Sequence, residues 1–445
     1  MPTTFAEFSD IVLFLSSLFI LFGSIYLTFR LRFVQLSLFP ALLRIIREHK
    51  PEQQASTNDF TIPPHRALFT AMSTTIGLGT IVGPIFAIHW GGPGALLGFL
   101  LTSFFGSAAT YTEVGLSLKY RKKLPSGQIL GGPMQYLSVL ISPGAARWYA
   151  GVGALLMAFW SASQANQLAA ILDSPLLGDY RTPHYISGAV ICIVLLSILF
   201  GGITRVAAFS AKLVPTMFVL YMGALLWILM LNMDRIGAVL SLIVTSALSP
   251  YAMATGGAVG GIVSAMRWGV FKGTQVTEAG VGTQTIPHSM AETNDPEAQA
   301  LLSMVSTYTA GIIAFLSGVV ALLTDTWQDP SLPVGISMVA ASFQMYFSHF
   351  GIIIVGINTI LFAFGTILGN SYNGSQCFGY ISNNKFTRTY YVLSAGIIFI
   401  GAVCDTKHIW SHIDIGLACL IIPHMFALLR YAFKGEHARV AAVSA

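Results

Sequence analysis

The feature that most constrains this chain is the recurrence of apolar stretches long enough to cross a bilayer. Eleven of them fall near 9–29, 66–88, 95–117, 149–171, 184–203, 210–231, 250–270, 299–324, 348–369, 390–404 and 409–429. A span of about 20 residues at about 1.5 Å each matches a hydrocarbon core of about 30 Å. Only 9% of the 445 residues are charged and mean hydropathy is +0.71, where a soluble domain is about a quarter charged. The expected fold is an all-α integral membrane protein with about 11 transmembrane helices, and no room remains for a large soluble domain.

The basic residues orient these spans. With the N-terminus outside, 20 of the 23 Lys and Arg fall on one side, among them Arg66, Lys119, Arg121, Arg267 and Lys272; only Arg181, Arg235 and Lys407 fall on the other. Cytoplasmic loops carry such an excess. The C-terminus is therefore expected inside, with the protein in a bacterial or archaeal cytoplasmic membrane. Topology accounts for the pI near 9, so no nucleic-acid partner is implied; the lipid bilayer is the expected surrounding, and a monomer suffices. Cys192, Cys377, Cys404 and Cys419 lie in or beside apolar runs without CxxC spacing, as packing residues rather than a disulfide framework or zinc site. No basic residue precedes the first run and no small-residue cleavage pattern follows it, so it reads as a retained span.

Span two holds Ser73-Thr74-Thr75-Ile76-Gly77-Leu78-Gly79-Thr80-Ile81-Val82-Gly83, three glycines and four hydroxyls at mid-membrane. Five spans later, span seven holds Thr255-Gly256-Gly257-Ala258-Val259-Gly260-Gly261. Small residues also let membrane helices pack closely. Two glycine-rich spans that open two five-span units of opposite orientation point instead to an inverted-repeat transporter with its site at the breaks. The expected division is 1–62 for the first helix and its loop, 63–235 and 236–430 for the two repeats, and 431–445 for a cytoplasmic tail. A break frees backbone groups that hydrocarbon cannot satisfy. The N-terminus of a half-helix then suits a carboxylate, and freed carbonyls with Thr hydroxyls suit a hard cation such as sodium.

At these residues the chain resembles the alanine or glycine:cation symporter family. Thr74 to Gly83 stands where that family reads close to TTVGTGNIxGV. Gly91-Gly92-Pro93-Gly94-Ala95, Glu113 before Lys119-Tyr120-Arg121, Gly131-Gly132-Pro133-Met134 and Gln164-Ala165-Asn166 follow in the family's order. So do Lys272 to Thr283, Asp295 to Ala300 and Leu361 to Gly369, which match its NEAGxGS, HPxxQG and FAFSTILGW segments. The resemblance implies a LeuT-type fold, one N-terminal helix plus a 5+5 inverted repeat with discontinuous first helices. It also implies inward transport of a small neutral amino acid, alanine or glycine, with sodium as coupling ion and no cofactor. By position, the Gly77, Leu78, Gly79 and Thr80 backbone would bind the carboxylate, and Gln164, Thr366 and Asn370 would contact the substrate. Thr74, Thr75, Gly365 and Thr366 would hold sodium. Four of these places depart from the family: Thr80 replaces Asn, Leu78 replaces Thr, Gly365 replaces Ser and Asn370 replaces Trp. Gly365 removes a sodium oxygen, which brings in a proton-coupled or uncoupled carrier as the alternative. Asn370 removes an apolar wall and adds an amide, which widens the site or favours a more polar substrate.

Intramembrane charges are functional suspects by default. Glu113 is expected to pair near Lys119, Glu278 to bond freed amides of Ala279 to Gly282, and Asp414 to pair within the protein near His412. His288 is expected in a solvated loop, Phe159 and Trp160 to wall a pocket or pack between helices, and Trp148, Tyr149, Tyr185 and Trp410 to sit at the interface. No HExxH, GxSxG or GxxxxGK[ST] stretch occurs, so an enzyme lacks candidate residues. A channel would need a filter or a ring of like charges.

Overall fold

Hydroxyl residues inside apolar helices explain how the chain tolerates polar groups in lipid. Ser16, Ser17, Thr28, Thr70, Ser103 and Thr112 each donate to the carbonyl four residues back at 2.7–2.9 Å, which satisfies them inside their own helix. The computed structural model describes residues 5–40, 60–125, 127–173, 181–248, 262–404 and 409–434. They are almost all helical: α1 (Phe5–Arg30), α2 (Pro64–Thr75), α3 (Leu78–Gly91), α4 (Leu96–Tyr120), α5 (Pro133–Leu140) and α6 (Pro143–Leu172). Then come α7 (His184–Leu199), α8 (Gly202–Leu231), α9 (Met233–Leu248), α10 (Ile262–Thr277), α11 (Thr285–Ser289) and α12 (Pro296–Leu323). The remainder are α13 (Ile336–Phe347), α14 (His349–Ser382), α15 (Thr387–Val403) and α16 (Ile409–Phe433). A two-stranded hairpin, β1 (Lys122–Lys123) and β2 (Ile129–Leu130), follows α4.

Local chemistry sets the boundaries. Pro143 opens α6 behind Ser142, whose hydroxyl accepts from Ala145 N–H (3.1 Å), and Pro296 opens α12 behind Asp295, which caps Ala298 N–H (3.0 Å). Counting Pro64–Gly91 as one, seven helical stretches among the described residues are long and apolar enough to cross a membrane, and three shorter apolar helices join them. Large apolar side chains on the outside, such as Phe22, Ile193, Val219, Met230 and Phe350, are exposed as a lipid-facing surface requires. Inside, small residues bring backbones together. A Cβ on Gly98 would overlap the Gly269 backbone, and one on Gly401 would meet Ala162.

Several expected spans move. The stretch expected at 348–369 continues as helix to Ser382. Its polar extension, Asn370 to Ser375, is buried against other helices rather than emerging into water: Asn373 donates to Thr283 O (3.3 Å) and Ser375 to Tyr372 O (2.6 Å). Span seven moves furthest. Gly269 and Gly273 lie against Ala95, Gly98 and Thr102 at the start of α4, while Ser289 O accepts from Arg121 just past its end (3.0 Å). Among the described residues the element at this place is α10 with α11, which runs alongside α4 and continues well past the expected end at 270. Arg267 and Lys272 consequently sit at the Pro93–Ala95 end of the bundle, opposite Arg121, which removes two of the twenty basic residues from the side expected for them. The glycine run Thr255 to Gly261, expected to hold the second break, lies outside the described residues. Helices α5, α9, α11 and α13 fall outside the expected spans, and the 235/236 division falls inside α9.

Candidate functional site

The first break is where Ser73 to Gly83 leads one to look for it. α2 ends at Thr75, Ile76 turns out of helical geometry (φ −89°, ψ 73°), Gly77 is extended (φ −106°, ψ −170°), and α3 starts at Leu78. Space rather than conformation demands glycine here: any residue adopts that φ, but a Cβ on Gly77 would overlap Thr366 Oγ1. Thr366 itself donates to Phe362 O (3.1 Å) and presents its oxygen to the break. Leu78 N–H, which in an unbroken helix would reach Thr74 O, donates to Gln164 Oε1 at 3.3 Å. Thr80 straps the gap, its hydroxyl to Thr75 O (3.3 Å) and its N–H to Gly77 O (3.0 Å). Of residues 70 to 85 only Gly79, in the N-terminal turn of α3, is exposed. A Cβ there would come no closer than 4.0 Å to Val276.

α14 lies flush along α2. Gly365 faces Ser73 O, 3.4 Å from where its Cβ would be, with Leu213 on the other side, and Gly369 rests on Thr74. Ser73, Thr74 and Thr75 send their own hydroxyl protons to Thr70 O and Ala71 O at 2.7–3.0 Å. What this junction offers an ion is therefore a set of neutral oxygens, which is the donor chemistry of a hard monovalent cation. Asn370, the next turn of the same face, is fully buried and neither end of its amide has a partner.

The second break lies at 278–284 and sequence reasoning placed it elsewhere. α10 stops at Thr277, and Glu278 (φ 50°), Gly280 (φ 74°) and Gly282 (φ 96°) turn the chain through left-handed geometry before α11. Its carbonyls are claimed one by one from surrounding elements. Thr277 O takes Gln284 Nε2 (2.9 Å), Gly280 O takes His424 Nδ1 (2.8 Å), Val281 O takes the Tyr149 hydroxyl (2.7 Å), Gly282 O takes Thr285 Oγ1 (2.6 Å) and Thr283 O takes Asn373 Nδ2 (3.3 Å). Because a carbonyl only accepts, His424 holds its proton on Nδ1, leaving Nε2 to accept from the Tyr136 hydroxyl. The missed signal was Glu278-Ala279-Gly280-Val281-Gly282, two alternating glycines beyond a helix whose end had been set too early.

Two buried carboxylates bracket this segment. Glu278 accepts from Thr283 Oγ1 (2.5 Å) and lies beside Thr74, whose own proton goes to Ala71 O, so the second break comes up against the first. Glu113 does not pair with Lys119, which bonds Tyr431 (3.4 Å). It faces the Gly280 and Gly282 amides, though neither closes a well-formed hydrogen bond, with His424 Nδ1 at 3.8 Å. His288 is not solvated; it is fully buried and bonded to Gln299 (2.7 Å). Tyr149 is likewise inside, whereas Trp148 and Tyr185 are exposed at the surface, and Trp410 falls where side chains are not described. Trp160 is buried and Phe159 points outward. Asp414 accepts from Gln275 (2.8 Å), itself bonded to Lys272 (3.0 Å). At the Arg121 end, Ile62 bridges to Ala291, with Ile62 N–H to Met290 O (3.0 Å) and Glu292 N–H to Ile62 O (2.8 Å). Arg121 caps Ala291 O there at 2.6 Å.

The helical bundle as a whole has a counterpart among solved structures. A nucleobase-cation-symport-1 family transporter, MHP1, in a closed conformation with bromovinylhydantoin bound, superposes with a TM-score of 0.53 at 12% identity, over 79% of this chain and 74% of that one. Among sequences, an uncharacterized transporter of Haemophilus influenzae is 32% identical over 91% of this chain and 88% of its own length. The sodium/alanine symporter AgcS of Methanococcus maripaludis is 32% identical over 91% and 89%. The probable sodium/glutamine symporter GlnT of Bacillus subtilis is 29% identical over 91% and 82%. The model of the sodium:alanine symporter family matches residues 3–435, and the chain belongs to that family.

Proposed function

We propose that this protein is a secondary carrier that imports a small neutral amino acid, alanine or glycine, by cation symport with sodium through alternating access. The observation that carries this reading is the meeting of the two breaks, where Glu278 lies beside Thr74, lined by Gln164 and Thr366. Of the first three amides of α3, Leu78 is held by Gln164 and Thr80 by Gly77 O. Gly79, the exposed residue of this turn, offers its N–H to the substrate carboxylate, favoured by the positive end of the half-helix. Thr366 and Gln164 fix its polar groups. Sodium takes the freed carbonyls from Ser73 to Thr75 and the Thr366 hydroxyl, beside Gly365. Its charge and the carboxylate's then offset each other, so each favours binding of the other.

Alternation follows from the fastenings. Opening towards the Arg121 end requires the Ile62–Ala291 bridge to part and α2 to swing from α11, a motion for which Gly77 is the hinge. The reading places that end in the cytoplasm, with the N-terminus outside and the chain divided into a first helix and two inverted five-helix repeats. A proton-coupled carrier is the second reading, favoured by the hydroxyl that Gly365 lacks. Uptake of labelled alanine and glycine into proteoliposomes separates the two. An inward sodium gradient is expected to drive accumulation above a potassium control; accumulation under a proton gradient alone would replace sodium with the proton, and no accumulation under either would end the reading of alanine or glycine as the substrate.

A further inference from the structure

Asn370 is the one described Asn or Gln whose carboxamide is buried with neither its oxygen nor its nitrogen bonded to protein. The polar side chains one turn either side of it on α14 are engaged, Thr366 with Phe362 O and Asn373 with Thr283 O, while the adjacent Ser371 hydroxyl is buried without a partner as well. The register of α14 against α6 shows what stands opposite. Gly153 meets Cys377 (3.0 Å from its Cβ position) and Gly374 meets Met157 (3.0 Å), so the two helices run antiparallel with residue numbers that fall on one as they rise on the other. One turn further on, Ser161 comes level with Asn370, and the following turn brings Gln164 to Thr366 and the first break. Ser161 is also fully buried, and its hydroxyl has no protein partner either. Two orphaned polar side chains thus stand at one level on the two packed helices, a turn from Gln164.

We propose that Asn370 and Ser161 form a side-chain subsite that selects an uncharged amino acid able both to donate and to accept hydrogen bonds, so that glutamine or asparagine is carried ahead of alanine. The proposal rests on the carrier reading above and changes its substrate. A carboxamide offers an oxygen acceptor and an N–H₂ donor, the complement of what Asn370 presents, and Ser161 can supply or take a third bond. An alanine methyl at this place leaves both groups unsatisfied in an apolar surrounding, and that is how a site built for hydrogen bonds rejects the analogue that lacks them. The corresponding acids are disfavoured because a carboxylate only accepts, which leaves the Asn370 oxygen unpaired, and because burying its charge here costs more than burying a neutral amide. Both groups are sealed from solvent here, so the side chain reaches them when the helices part and completes their bonding as they close.

The test is uptake of labelled glutamine, asparagine, glutamate and alanine into proteoliposomes, by the wild-type chain, Asn370→Leu and Ser161→Ala. The wild type is expected to show kcat/KM for glutamine or asparagine at least about tenfold above alanine, with glutamate excluded. Asn370→Leu should lower the glutamine-to-alanine ratio by about 10- to 100-fold and Ser161→Ala by a few fold. A wild-type preference for alanine, or a ratio unmoved by Asn370→Leu, overturns the subsite while leaving the carrier intact. If Asn370→Leu does not insert, the wild-type ratio and Ser161→Ala decide alone. Uptake of none of the four removes the carrier reading and the subsite with it.

Discussion

The two breaks solve one problem, exposed backbone in lipid, in opposite ways. The first spans two residues and is held by close contact: Gly77 against Thr366, Gly365 against Ser73, Gly369 against Thr74. Few side chains bond it, and Gly79 beside it is exposed. The second spans seven residues and is held by hydrogen bonds from Tyr149, Asn373, His424, Gln284 and Thr285. A segment whose carbonyls are already spoken for binds little but keeps its shape, whereas one held by packing keeps amides and carbonyls for ligands and can bend. The first break reads as the binding and hinge element, the second as its fixed counterpart.

The largest effect expected from this contrast is at Gly77. Gly77→Ala forces a methyl onto Thr366 Oγ1, and although such overpacking costs about 1–3 kcal/mol, it falls on the site itself. Uptake should fall below detection while the protein still inserts and runs as a single peak in detergent. Near wild-type uptake would break the assignment of the first break. Tyr149→Phe comes next: it strips Val281 O of its donor, a loss of about 1–3 kcal/mol for a buried orphaned group. The melting temperature in detergent should drop by several degrees with the half-saturating substrate concentration little changed. The reverse pattern, a shifted affinity with unchanged stability, would make the second break a binding element too. The smallest effect is at Gly365. A Ser there faces Ser73 O, with only the flexible end of Leu213 (3.0 Å) to displace, so Gly365→Ser should lower the sodium concentration for half-maximal uptake by a few fold, about 1 kcal/mol. An unchanged sodium dependence would take Gly365 out of the ion site.

The same contrast explains what the sequence disclosed. Ser73 to Gly83 was legible because glycine and hydroxyls interrupt an otherwise apolar run, and the break at Ile76 and Gly77 falls inside that stretch. The second was hidden because its signature is not compositional. Gly280 and Gly282 matter for their φ angles, and the partners that hold them, Tyr149, Asn373 and His424, come from three distant helices. The end of α14 was misread for a related reason: Asn370 to Ser375 look like an exit into water unless the carbonyls they face are known. Polar residues near a span end, such as His288 and Glu113, were assigned to loop and surface roles when burial gives them internal partners.

The central claim, that the first break is where substrate sits, is tested most directly at Gly79. A cysteine introduced there has room, since the nearest side-chain atom to its Cβ is Val276 Cγ2 at 4.0 Å, and it lies at the exposed turn of α3. In a background with Cys192, Cys377, Cys404 and Cys419 replaced by alanine, the rate at which a small thiol reagent labels Gly79→Cys would be measured with and without a saturating concentration of transported amino acid and sodium. The account predicts that labelling slows at least about fivefold when both are present, as a ligand on the α3 amides covers the thiol. Equal rates with and without a substrate that the wild-type protein transports would place the site away from the first break.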